Sequence, residues 1–94
     1  MMKTHQVKSW PDFFKPVLDG EKTFELRKND RDYHKGDLLT LREYDDRKGT
    51  FTGREVTKRI TYVLTSTGPG SITPFHGLSQ GYAILSLADS NDAS

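Results

Sequence analysis

The stretch Gly20-Glu21-Lys22-Thr23-Phe24-Glu25-Leu26-Arg27-Lys28-Asn29-Asp30-Arg31 decides how the chain is read. It opens on a glycine suited to ending a helix. It then takes the period of a strand. Side chains alternate along a strand, so Phe24 and Leu26 share one face while Thr23, Glu25 and Arg27 share the other. Charges crowd the exit at Arg27, Lys28, Asp30 and Arg31. A site is to be sought on this strand first.

Upstream, residues 5–8 alternate around Val7 and read as a short first strand. Ser9 is a candidate N-cap, with Asp12 three residues on and Pro11 in the first turn, where its missing N–H costs little. Phe13, Phe14, Val17 and Leu18 make one apolar helix face. Pro16 either ends the regular turn or lies near enough to the helix start to be tolerated. Trp10 is expected to staple onto the core.

Downstream, residues 38–44 read as a strand with Leu39 and Leu41 inward, residues 45–49 as a hairpin loop, and Gly53 as a bulge or turn in the return strand. Residues 54–64 are the clearest strand, with Val56, Ile60, Tyr62 and Leu64 on one face. Residues 65–81 form a long glycine- and hydroxyl-rich loop, a type that is often functional. A last strand covers 81–87 and a polar tail begins at 88. The expectation is a mainly β, α+β fold: one main helix and about five to six strands in a small barrel. One domain is expected over 1–94, ordered from about 4 to 88.

Composition narrows the function classes. The net charge of +1 gives no global attraction for a polyanion, so any nucleic-acid contact must come from a local basic patch. With no cysteine there is no disulfide framework, thiolate nucleophile or cysteine-bound zinc. His5, His34 and His76 lack the spacing of a metal site, and no cofactor is implied. No apolar run approaches the roughly 20 residues of a membrane span, so a soluble, cytoplasmic chain is expected.

Gly20-x-Lys22-Thr23-x-Glu25-x-Arg27, followed by Gly36-Asp37-x-Leu39-x-Leu41, resembles the entry to an ASCH domain of the PUA-like superfamily. The run from Lys22 to Tyr33, with Glu43-Tyr44, Thr52-Gly53-Arg54 and Gly81-Tyr82-x-Ile84-Leu85, is similar to an uncharacterised bacterial and phage branch. The resemblance implies a small PUA-like β-barrel with its helix between the first two strands. It also implies RNA binding in a cleft beside the barrel. Some ASCH proteins are amidohydrolases of acetylated cytidine nucleosides, and others are reported as ribonucleases. In the amidohydrolase pattern a lysine is followed three residues on by threonine, with a glutamate from farther along the chain. Here Lys22 matches, Glu25 stands at the threonine position, and residues 65–81 contain no glutamate.

The expected function is therefore a nucleic-acid binding module, RNA first, whose ligand is RNA or a nucleotide or nucleoside. Lys22, Arg27 and Arg31 would meet phosphate or ribose. Glu25 would read a base edge, and Tyr44 or His76 would stack a base. The alternative is a hydrolase of a modified nucleoside or RNA in the same cleft, with Glu25 as base and Lys22 as electrophilic stabiliser. A third reading is a protein-interaction domain presenting an exposed apolar patch. Oligomeric state is left open.

Overall fold

The computed structural model describes residues 2–65, 78–79 and 81–90. Most of the 65–81 loop, His76 with it, and the last four residues lie outside the described residues. The elements are β1 (Thr4–Ser9), α1 (Pro11–Leu18), β2 (Phe24–Lys28), β3 (Leu38–Asp45), β4 (Thr50–Thr65) and β5 (Tyr82–Asp89). The strands form one five-stranded sheet in the order β1-β3-β4-β5-β2. β1 runs parallel to β3, and the other neighbours are antiparallel. The sheet curls into a half-barrel, so the fold is mainly β with one short helix. β1 and β2 are its two edges.

Alternation puts Val7, Leu39, Leu41, Ile60, Ala83, Leu85 and Leu87 on the inner face. Phe14 and Val17 of α1 close over them, both fully buried. Burying one such side chain stabilises the fold by about 1.5–3 kcal/mol. The buried helix stripe is narrower than the sequence suggests, because Phe13 and Leu18 stay exposed. Trp10 is 53% exposed and does not staple onto the core.

Ser9 is not the N-cap. It is the last residue of β1, and Trp10 caps α1 without a side-chain bond; its carbonyl takes the Phe13 and Phe14 N–H groups at 2.9 and 2.8 Å. Pro16 is accommodated inside the helix. The helix ends as Gly20 requires. Gly20 has φ +81°, its N–H reaches the Val17 carbonyl at 3.1 Å, and the Glu21 N–H reaches Pro16 at 2.9 Å. This is a Schellman ending.

β4 is one continuous strand that starts at Thr50 and passes through Gly53. The register against β3 shifts there, opposite Glu43. A second shift lies against β5, between Ile60 and Tyr62. The extra residue exchanges the two faces. Ile60 points in, Tyr62 points out at 59% exposed, and Val63 packs against the core. The four residues expected on one face are therefore split between two. β5 runs on to Asp89, whose carboxylate takes the Lys58 ammonium at 2.7 Å, so the start of the expected tail belongs to the sheet.

Candidate functional site

Strand β2 separates its two faces as its alternation demands, and the charged face is the one turned inward. Glu25 is 4% exposed, whereas Phe24 and Leu26 are 48% and 55% exposed. Glu25 lies opposite Leu85 of β5, on the inner side of an edge strand. A carboxylate withdrawn from water needs partners, and the same stretch supplies them. Lys22 Nζ donates to Glu25 Oε1 at 3.0 Å, and Arg27 NH1 lies 3.4 Å from Oε2. Arg27 NH1 also donates to the Lys8 carbonyl at 3.0 Å, which spans from β2 to the opposite sheet edge. Lys22 is placed by the helix end, where its N–H bonds the Pro16 carbonyl at 3.0 Å.

These three side chains line a cleft of about 420 Å³. Trp10, Phe13 and Leu26 supply apolar wall, and Lys8 and Ser9 complete it. The Trp10 and Phe13 rings stack at 6.3 Å, and both are about half exposed. The Ser9 hydroxyl is buried without a hydrogen-bond partner among the described residues. A second groove, about 340 Å³, shares Lys8 and Arg27 with the cleft and adds Arg31, Arg42 and Phe51. Among the described residues no carboxylate lines it, though Glu55 Oε1 lies 3.9 Å from Arg42 Nε. The pair of hollows thus runs from a clamped carboxylate between aromatic rings to a strip of four cations.

Residues 4–87 match the family described as Domain of unknown function (DUF3850). The chain belongs to the DUF3850 family. It is also 49% identical over 63 residues to a protein of Escherichia phage P2 described as "Uncharacterized 12.9 kDa protein in GpA 3'region". The match covers 67% of this chain and 56% of the phage protein, so it spans little more than half that relative's length. A phage relative agrees with the phage side of the resemblance read from the sequence.

Of the site residues expected in this DUF3850 chain, Lys22, Glu25 and Arg27 come together. Arg31 lies in the adjoining groove. Tyr44 does not face the cleft with a free ring. Lys8 Nζ sits 4.3 Å from its centroid, and Phe51 meets it edge-on at 5.1 Å. His76 lies outside the described residues. Lys8, Ser9, Trp10 and Phe13 form the other wall, and the sequence reading did not assign them to it. A signal was available for Ser9: the alternation that buries His5 and Val7 continues to it.

Other buried polar groups are structural. Asp37 accepts from His5 Nε2 at 2.8 Å and from the Lys3 and His34 N–H groups at 3.1 Å each. Burial pushes its carboxyl up, but these bonds outweigh burial and hold it below the ordinary value. Glu43 is buried as well. Arg54 grips it through two bonds of 2.9 and 3.0 Å, and the Thr52 hydroxyl donates at 2.8 Å. The Arg54 bond is the main cause holding Glu43 below its usual range. Tyr33 is buried against His5, and burial raises its pKa while Arg27 and Arg31 oppose the rise. Among the described residues no cluster of His, Asp and Glu could hold a metal ion, and no helix is long and apolar enough to cross a membrane.

Proposed function

We propose that this chain is an ASCH-like module of the PUA-like superfamily that binds single-stranded nucleic acid, RNA in the first place. The ligand lies in the cleft between β1, α1 and β2. One observation carries the reading: Lys22, Glu25 and Arg27 converge within 3.0–3.4 Å at a wall that also holds exposed Trp10 and Phe13. A carboxylate clamped between two cations is an oriented acceptor for a base edge. Half-exposed aromatic rings suit base stacking, and a groove lined by Lys8, Arg27, Arg31 and Arg42 suits a phosphate backbone. The net charge of +1 makes this attraction local, so binding is weak and salt-sensitive. Titration of a short single-stranded RNA at low salt tests the reading. Saturable binding that weakens as salt rises is expected, and no binding of any RNA at low salt removes it.

A hydrolase acting on a modified nucleoside or RNA is the second reading. The Lys22 ammonium on the Glu25 carboxylate at 3.0 Å in the same cleft favours it, since such a pair sets a base beside a stabilising cation. Glu25 would then serve as base and Lys22 as stabiliser of developing negative charge. Turnover of acylated nucleosides and RNAs by the wild type, lost in Glu25→Gln, supports it. Trace turnover unchanged in that variant points to a contaminant. An interaction domain would instead use the outer sheet face, where Phe24, Tyr62 and Tyr82 are exposed.

A further inference from the structure

The two cations on Glu25 do not share an oxygen. Lys22 Nζ is on Oε1 at 3.0 Å and Arg27 NH1 is on Oε2 at 3.4 Å. Through these contacts the three side chains are linked donor, acceptor, donor. None of the three is exhausted by its contacts, although Arg27 NH1 also serves the Lys8 carbonyl at 3.0 Å and leaves the other guanidinium nitrogens to donate. An ammonium carries three donors, a guanidinium five, and a carboxylate about four acceptor positions. The Glu25 side chain, 5% exposed, is among those lining the cleft.

Resting on the nucleic-acid reading above, we propose that this line selects an imide edge, and so uracil among the RNA bases. The complement of donor–acceptor–donor is acceptor–donor–acceptor. Uracil presents it as O4, N3–H and O2. Its N3–H would donate to Glu25 while its two carbonyls accept from Lys22 and Arg27, with the ring against Trp10 or Phe13. Cytosine turns an unprotonated N3 toward the carboxylate and an amino group toward a cation. Guanine offers N1–H to the carboxylate but sets its amino group against the second cation. Adenine has no carbonyl for either cation.

The test is equilibrium binding of the full chain to UMP, CMP, AMP, GMP and 3-methyl-UMP, with short homopolymers of U, C and A alongside. UMP is expected to bind about tenfold tighter than CMP or 3-methyl-UMP, the size of one good base-edge pairing. In Glu25→Gln, whose amide can donate as well as accept, the UMP-to-CMP ratio is expected to narrow. The wild-type series alone decides the matter should that variant fold poorly. Nucleotide binding in which CMP, GMP or 3-methyl-UMP equals UMP overturns the uracil assignment and leaves the nucleic-acid reading standing. No binding of any nucleotide or homopolymer at low salt overturns both.

Discussion

Arg27 donates to the main-chain carbonyl of Lys8 at 3.0 Å, and this contact links the two edges of the sheet. β1 and β2 are not neighbours in the ladder, so the half-barrel is bridged here by a side chain where strand pairing is absent. The same guanidinium reaches Glu25. Shape and site thus depend on one residue. Arg27→Ala should cost about 1.5 kcal/mol, the low end for hydrogen bonds to charged groups because the guanidinium is partly exposed. Denaturant unfolding measures it. Arg27→Lys should recover part of the loss, because a point charge still faces Glu25. A wild-type midpoint in Arg27→Ala would show that the edge contact carries no stability.

Trp10 is the only tryptophan in the chain, and it stands half-exposed at the cleft. Its fluorescence should change when single-stranded RNA binds. Trp10→Ala should leave the unfolding midpoint nearly unchanged, since the ring is outside the core. RNA affinity should fall by about 1–3 kcal/mol if a base stacks there. Wild-type affinity in that variant would place the ligand elsewhere.

Much of this architecture was legible from residues. Gly20 marked the helix end because only a left-handed residue lets the chain turn from α1 toward β2. The 22–28 alternation correctly separated Glu25 and Arg27 from Phe24 and Leu26. It did not give the buried status of Glu25, because which face of β2 turns inward is set by its pairing with β5 and by the contact to Lys8 across the sheet. Local spacing hints at Lys22 and Arg27 but not at the closure onto Lys8. Glu43 was hidden for a similar reason: its clamp, Arg54, arrives across the bulge at Gly53. The second bulge, before Tyr62, is set by pairing with β5. Unbroken alternation within β4 therefore assigned Tyr62 to the wrong face.

Acid should unfold the protein through Asp37 and Glu43. Both carboxyls lie below their ordinary values of 3.8 and 4.5 in the folded chain. For a depressed pKa the unfolded chain binds more protons as pH falls. The stabilisation is present above the unfolded value and is lost as pH drops through the folded one. The urea midpoint should thus hold from about pH 7 to about pH 5 and fall below about pH 4.5. Asp37→Asn should be less stable at neutral pH and show a shallower acid limb. An unchanged acid limb in both Asp37→Asn and Glu43→Gln would show that neither carboxylate governs acid unfolding.

The central claim is that the cleft at Lys22, Glu25 and Arg27 is where nucleic acid binds. Amide chemical-shift mapping of the isotope-labelled chain with a short single-stranded RNA at low salt tests it most directly. The predicted result is a continuous set of shifts at Lys8, Ser9, Trp10, Lys22, Glu25 and Arg27, extending to Arg31. Shifts centred instead on the outer sheet face at Tyr62, Tyr82 and Ile84, or no shifts at all, would contradict the claim.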